Sequence, residues 1–84
     1  MKYSLKVTAT FERGFRSLDG SSSKRVDTAV VKLENDPRAG KPLKGQLSGR
    51  WSLRVGDYRV IYIIDDGVKS VTLLDVGKRR SVYD

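Results

Sequence analysis

The chain contains no cysteine and no histidine. Without cysteine it can form neither a disulfide nor a thiolate metal site, and without histidine it has no imidazole for acid–base catalysis. A metal ion would have to be held by carboxylates alone. We therefore expect no metal site and no cofactor, and proton transfer would fall to tyrosine, lysine or carboxylate side chains.

Long apolar runs are also absent. No stretch approaches the ~20 apolar residues of a membrane-spanning helix. The first residues, Met1 to Val7, alternate like a strand and do not form the apolar segment of a signal peptide. Eighty-four residues make one small domain with a modest core. We expect a single domain over residues 1–84 that is soluble and cytoplasmic, with no membrane partner.

Basic residues outnumber acidic ones by 17 to 10, which gives a net charge of +7. This excess predicts attraction to polyanions, of which nucleic acid is the obvious one. A generally basic surface that serves solubility is the alternative. Clustering favours the polyanion, because six cations fall in the predicted hairpins and the tail: Arg50, Arg54, Arg59, Lys78, Arg79 and Arg80.

The first half of the chain predicts a strand and two helices. Residues 3–8 alternate between apolar and polar side chains, which is typical of a strand. Thr8 or Thr10 can cap a helix that runs to about Leu18, where Asp19-Gly20 ends it.

A second helix follows after a short turn, so the two helices form a hairpin. Any of the serines 21–23 can be its N-cap, and it runs to residue 34 or 35. Val26, Ala29, Val30 and Leu33 form its apolar stripe. Pro37 follows and stops the helix.

The second half predicts a loop and an antiparallel meander. Residues 36–49 are rich in glycine, proline and lysine and are predicted to be a loop. Gly56-Asp57 and Asp66-Gly67 are hairpin turns between three strands at residues 50–55, 58–65 and 68–76. The fold class is therefore α+β, with one sheet and the helices on one of its faces.

The predicted pairing sorts the strand residues into two faces. Trp51, Leu53, Val60, Tyr62, Val71 and Leu73 should pack on the helices. The opposite face carries Arg50, Ser52, Arg54, Arg59, Ile61, Ile63, Thr72 and Leu74. A two-residue turn sets Arg54 opposite Arg59, and such like-charge pairs destabilise a sheet by up to about 1 kcal/mol. We interpret the pair as a site for an anion; a solvated strand face is the alternative.

Two motifs resemble those of the RelE/ParE toxin superfamily. The first extends from Lys41 to Tyr62 and contains Lys-Pro-Leu-Lys-Gly and Trp-Ser-Leu-Arg-Val-Gly-Asp-Tyr-Arg. The second is the tail Val-Gly-Lys-Arg-Arg-Ser-Val-Tyr, which ends at Tyr83. The predicted element order, strand, two helices and three strands, is also that of the superfamily, so the resemblance covers nearly the whole chain.

The resemblance implies a toxin of a type II toxin–antitoxin system. RelE-type members cut mRNA in the ribosomal A site without a metal, through attack of a 2′-hydroxyl on the next phosphate. An acidic antitoxin would hold the toxin inactive in a hetero-oligomer, and the free toxin would be a monomer. ParE-type members share the fold but act on DNA gyrase, and a diverged member that chiefly binds its antitoxin is a third possibility.

The resemblance also implies site residues. The catalytic set is Arg54, Arg59, Arg79 and Tyr83. Beside these, position 52 and the basic residues of the loop, hairpins and tail make up a predicted RNA-binding set: Lys41, Lys44, Arg50, Ser52, Lys78 and Arg80. Lys41 and Lys44 could otherwise be solvated loop residues. The superfamily's best-studied pattern has a lysine where this chain has Ser52, which removes one group that could move the nucleophile's proton. Lys78-Arg79-Arg80 could otherwise be an ordinary basic tail.

Overall fold

The computed structural model describes residues 2–78. It consists of one five-stranded sheet and two helices, with the strand order β1-β5-β4-β3-β2. The elements are β1 (Ser4–Val7), α1 (Ala9–Arg16), α2 (Gly20–Val31), β2 (Lys41–Pro42), β3 (Trp51–Val55), β4 (Tyr58–Asp65) and β5 (Ser70–Lys78). The predicted α+β class is confirmed. No helix among the described residues is long and apolar enough to span a membrane.

Thr8 both caps α1 and attaches it to the sheet. Its side-chain oxygen accepts from the backbone N–H of Phe11 at 3.1 Å, as expected of an N-cap residue. The same hydroxyl donates to the Leu74 carbonyl at 2.9 Å, and the Thr8 backbone N–H donates to the Leu73 carbonyl. The prediction of a cap at Thr8 or Thr10 is therefore confirmed at Thr8, although α1 ends two residues before the predicted Leu18.

The start of α2 was predicted wrongly. Its N-cap is Asp19 and not one of the serines 21–23. The Asp19 carboxylate accepts a hydrogen bond from the Ser22 backbone N–H at 2.7 Å. This hydrogen bond lowers the pKa of Asp19. Aspartate both terminates and caps helices, so the Asp19-Gly20 pair that ends α1 also begins α2. A 3-10 turn at Lys32–Glu34 completes the second helix close to its predicted end.

The sheet contains two pairings beyond the predicted meander. β1 pairs in parallel with β5, which places the N-terminal strand at one edge. At the other edge β2 pairs with β3, so the predicted loop over residues 36–49 contains a short strand. The β4–β5 hairpin also differs from the prediction, because four residues, Asp66 to Lys69, separate the paired Asp65 and Ser70.

The core lies between the helices and one face of the sheet. Val26, Val30 and Leu33 of the helical segment are buried against the sheet residues Val60, Tyr62, Val71, Leu73 and Val76. The face predicted to pack on the helices is therefore confirmed. β5 contains a bulge, because Ile61 pairs with Asp75 and Tyr62 pairs with Leu73, which leaves Leu74 unpaired. The extra residue keeps Val76 opposite Val60 in the core.

Gly14 allows α1 to lie directly on β5. A Cβ atom at this position would be 2.5 Å from the Val76 carbonyl oxygen, which is a backbone atom. Such an approach is closer than real Cβ contacts allow. The glycine that weakens helix propensity in the sequence is thus required by packing.

The buried hydroxyl of Tyr62 holds the segment that leads into β2. It donates to the Pro37 carbonyl at 2.8 Å and accepts from the Gly40 backbone N–H at 3.1 Å. Burial raises the pKa of this phenol, so it stays protonated and able to donate. A Cβ at Gly40 would lie 2.5 Å from the Ser52 carbonyl oxygen, so only glycine fits between β3 and Tyr62.

An exposed network holds the same segment from outside. The Arg38 guanidinium binds the Asp66 carboxylate, with Nη2 2.7 Å from Oδ2, and Tyr3 donates to the same carboxylate. These contacts, chiefly the Arg38 hydrogen bond, lower the pKa of Asp66 to about 2. Arg38 also lies over the ring of Trp51, with Cζ 5.9 Å from the ring centroid. The 3-10 turn Pro37–Ala39 is therefore joined to the first residue of β3 and to the turn between β4 and β5.

We expect Gly14→Ala to lower the free energy of unfolding by about 1–2 kcal/mol, because overpacking against the Val76 backbone outweighs the gain in helix propensity. Urea denaturation of the purified protein measures the change. Gly20→Ala is the matched control, since a Cβ there meets no heavy atom within 4 Å. Equal losses in the two variants would contradict the packing explanation.

We expect Tyr62→Phe to cost about 1–3 kcal/mol of unfolding free energy, because the Gly40 amide and the Pro37 carbonyl would lose their buried partner. Tyr58→Phe is the control on the same strand, since its ring is half-exposed. Hydrogen exchange should show faster exchange at the Gly40 amide in Tyr62→Phe only. Retained protection at Gly40 would show that the hydroxyl does not hold this segment.

Candidate functional site

Arg54 and Arg59 face each other across the β3–β4 hairpin. The register pairs Arg54 with Arg59 and Val55 with Tyr58, so the predicted opposition of the two cations is confirmed. Gly56, at the turn between them, has a φ of 60°, a conformation that favours glycine. Side chains of directly opposed strand residues lie on the same face. Both guanidinium groups therefore belong to the face of the sheet away from the helices.

Ser52 lies beneath Arg59 and orients it. The Arg59 Nη1 donates to the Ser52 side-chain oxygen at 3.0 Å. Ser52 is 3% exposed, although its side chain was predicted to contact RNA. Ser52 is thus placed to direct the guanidinium and not to meet a ligand itself. A hydrogen bond to a charged donor of this kind contributes about 1.5–3 kcal/mol.

A small cavity brings four of the predicted site residues together. It has a volume of about 260 Å³ and is lined by Ala39, Gly40, Lys41, Ser52, Leu53, Arg54 and Arg59. Lys41 comes from the edge strand β2, where it pairs with Ser52. Three cations from three strands therefore surround one opening, which is suited to a phosphate group.

The sequence pattern does not predict that Ala39 and Gly40 form one wall of the cavity. Ala39 is the last residue of the 3-10 turn that Tyr62 and Arg38 hold in place, and Gly40 directly follows it. The sequence signal for this wall is the position of Gly40 between Pro37 and Pro42. That pattern alone indicates only a loop, because it does not show the contact with Tyr62. The wall matters because it fixes where Lys41 enters the sheet.

Other predicted residues lie away from the cavity lining. Arg50 and Lys44 are exposed, Arg50 just before β3 and Lys44 before the 3-10 turn Gly45–Leu47. Lys78 pairs with Tyr58, on the helix side of the sheet, while Gly77 pairs with Arg59. Arg79, Arg80 and Tyr83 lie outside the described residues. The roles assigned to all these side chains stay predictions.

Asp75 is a carboxylate on the face of the cavity. It pairs with Ile61, which pairs with Ser52, so the register sets these residues in one row with Lys41. The Asp75 side chain accepts from the Val76 backbone N–H at 2.8 Å. Among residues 2–78 no three acidic side chains come together in a group that could hold a metal ion.

The arrangement can neutralise the charge that develops on a phosphate. Arginine binds two phosphate oxygens at once through its planar fork, and Ser52 fixes the direction of the Arg59 fork. Such preorganised donors act most strongly on charge that forms in a transition state. The cavity therefore has the features of an anion site that could also stabilise a phosphoryl transition state.

Comparison with known families and proteins gives a consistent result. The family model for the ParE toxin of the type II toxin–antitoxin system parDE matches residues 3–83. Toxin RelE of Mycobacterium tuberculosis is 39% identical over 96% of this chain and 86% of its own length. Toxin RelG of the same organism is 37% identical over 99% of this chain and 98% of its own.

Solved structures agree with the sequence relatives. The toxin–antitoxin complex RelBE2 of M. tuberculosis contains a chain that matches with a TM-score of 0.78 and 36% identity, over 94% of this chain and all of that one. The archaeal RelE–RelB complex of Pyrococcus horikoshii matches with a TM-score of 0.78 and 25% identity, over 98% of this chain and all of that one. Because the family model, the sequence relatives and the fold agree, this chain belongs to the RelE/ParE superfamily and is a toxin of a type II toxin–antitoxin system.

Proposed function

We propose that this toxin is an endoribonuclease that cuts mRNA on the ribosome without a metal ion. The observation that carries the proposal is the cavity in which Lys41, Arg54 and Arg59 surround the buried Ser52. RelE-named toxins are among its relatives over nearly the full chain length. A cavity of about 260 Å³ lined by three cations accommodates a phosphate with part of its sugar.

The reaction we propose uses the RNA's own nucleophile. The 2′-oxygen of one nucleotide attacks the adjacent phosphorus and loses its proton, and the bond from phosphorus to the 5′-oxygen breaks. The leaving 5′-oxygen takes up a proton, so the products are a 2′,3′-cyclic phosphate and a 5′-hydroxyl. Arg59 binds the non-bridging oxygens, whose charge rises in the transition state. Arg54 neutralises the phosphate from the other side of the hairpin.

Proton transfer is the part of the reaction that Ser52 does not supply. Its hydroxyl accepts from Arg59 and is 3% exposed, so it is not available to a substrate. Lys41 lies opposite Ser52 on the neighbouring strand, so its ammonium group enters the cavity from the same row. We assign proton transfer to Lys41 together with Tyr83 of the tail motif, and we assign to Arg79 of that motif a second contact with the charged phosphate oxygens. Neither tail residue is among the described residues.

We expect Arg59→Ala to lower cleavage about 10²–10³-fold, the usual cost of removing one transition-state donor. Arg59→Lys keeps the charge but not the two-pronged contact, and should recover only part of the rate. Arg13→Ala, an exposed position on α1, is the control. The measurement is mapping of mRNA 5′ ends in a purified translation system. Full activity in a folded Arg59→Ala protein would refute the catalytic role of the cavity.

The same system separates an RNA-cutting toxin from a gyrase poison. An mRNA with a 2′-O-methyl group just upstream of the cut should still bind and should resist cleavage, because the nucleophile is blocked. Cleavage of that substrate at the normal position would exclude the mechanism. Toxicity on induction without any new mRNA 5′ ends would favour action of the ParE kind.

The partner we propose is an antitoxin that covers an apolar groove on the helical side. The groove has a volume of about 340 Å³, and Leu5, Val7, Phe11, Phe15, Val30, Val31 and Leu73 form its apolar lining. Val7 and Val31 remain 48% and 46% exposed. Large apolar grooves mark protein interfaces. The structural neighbours include toxin complexes with RelB antitoxins. The net charge of +7 favours an acidic partner.

We expect Val31→Glu to weaken antitoxin binding about 10–100-fold, because a buried unpaired carboxylate costs on the order of 1–3 kcal/mol at an interface. Val68→Glu is the control: Val68 is 66% exposed but lies in the β4–β5 turn, away from the groove. The assay is co-purification and titration with the small acidic protein encoded beside the toxin gene. Equal binding by both variants would place the antitoxin elsewhere.

A further inference from the structure

A second basic groove lies along α2, on the helical side of the sheet. It has a volume of about 470 Å³. Its lining consists of Ser21, Lys24, Arg25, Thr28, Ala29, Lys32 and Val55. Lys24, Thr28 and Lys32 are four residues apart and so follow one line along the helix. Arg25 lies beside this line, one turn after Ser21.

Within residues 2–78, no ion pair offsets the positive charge of this groove. Lys24, Arg25 and Lys32 are exposed, and none of them forms an ion pair within residues 2–78. Among the described residues that line the groove, three are cationic and none is acidic. The groove therefore keeps an uncompensated positive potential that attracts a polyanion.

Arg25 joins this groove to the cleavage cavity. A Cβ built on Gly56 would be 2.8 Å from the Arg25 Nη2, so the guanidinium lies against the β3–β4 turn. The same turn connects Arg54 to Arg59 on the other face of the sheet. A strand of nucleic acid that leaves the cavity could therefore pass around the turn and continue along α2. The turn adds one carboxylate, Asp57, to this path.

The composition of the groove fits a phosphate backbone better than a protein. Lysine, arginine, serine and threonine are the side chains that most often contact phosphates and sugars. Protein interfaces are anchored by buried aromatic and large apolar side chains. Those side chains lie in the other groove, with Phe11 and Phe15, whereas Ala29 and Val55 are the apolar members here.

We infer that the α2 groove binds the sugar–phosphate backbone of RNA, at nucleotides beyond those held in the cleavage cavity. The inference rests on the proposed function in one respect, since it takes RNA as the ligand of the cavity. The groove itself supplies affinity and position. It does not read sequence, because its contacts are to the backbone.

The test compares two triple variants of equal charge. The first is Lys24→Gln, Arg25→Gln and Lys32→Gln, which removes the cations of the groove. The second, the control, is Arg13→Gln, Arg16→Gln and Lys69→Gln, which removes three exposed cations elsewhere. Fully 2′-O-methylated RNA is used as the probe, so that cleavage does not interfere. Probes of about four and about twenty nucleotides cover the cavity alone and the longer path.

We expect the groove variant to bind the long probe about tenfold or more weakly than the control variant does at equal salt. Its plot of log affinity against log salt concentration should be shallower by about 2, at roughly 0.7 for each lost phosphate contact. Affinity for the short probe should be the same in both variants. Equal affinities and equal slopes for the long probe would overturn the inference.

Two further outcomes are decisive. Equal loss of affinity for poly-L-glutamate would show that the groove takes any polyanion and would overturn its assignment to RNA. Loss of long-probe binding in the groove variant, with no cleavage of normal mRNA by the unmodified protein, would support the groove and refute the proposed cleavage. Normal cleavage by the unmodified protein, together with unchanged long-probe binding in the groove variant, would support the proposed cleavage and overturn the inference about the groove.

Discussion

The pairing register of β3 with β4 is the constraint on which the rest of the structure depends. Val60 and Tyr62 are fully buried on the helix side, and Arg59, which directly precedes Val60, faces the other way. A slip of one residue would turn the arginines into the core and the apolar side chains into water. Burying each large apolar side chain contributes about 1.5–3 kcal/mol, whereas opposing Arg54 and Arg59 costs at most about 1 kcal/mol. Core packing therefore fixes the like-charge pair in place.

The same register builds the cavity from the opposite side of the sheet. The Tyr62 ring packs in the core while its hydroxyl holds Pro37 and Gly40. That contact fixes the point at which the chain enters β2 and sets Lys41 opposite Ser52. A core residue thereby determines where a cation of the site is placed. The cost of burying the phenol is offset because both of its hydrogen-bonding functions are used.

The sequence predicts well what depends on local periodicity. The alternation in β3 and β4, the Gly56-Asp57 turn and the apolar stripe of α2 all have a strong period, and the structure confirms each of them. Prediction from the sequence fails where contacts between distant parts of the chain determine the local structure. β2 is two residues long and has no measurable period, so its pairing depends on the Tyr62 hydroxyl.

Two other errors have equally physical causes. Leu74 is one apolar residue among several, so the alternation cannot show that it is the extra residue of a bulge. Asp19 is a typical residue both for a turn and for an N-cap, and the three serines that follow offer equally good caps by type alone. Of the candidate site, the register predicts that Arg54 and Arg59 meet. It could not predict that Ser52 is covered by Arg59.

Helix α2 lies between an apolar groove and a cationic groove. Val26 and Val30 are buried against the sheet, which fixes the rotation of the helix about its axis. With that rotation fixed, the 3.6-residue period of the helix places Val31 in the apolar groove beside β1. Lys24 and Lys32 lie on the other side, in the groove beside the β3–β4 turn. The two grooves therefore present apolar and cationic surfaces on opposite sides of one helix. The antitoxin and the RNA that we propose as ligands would thus contact different side chains.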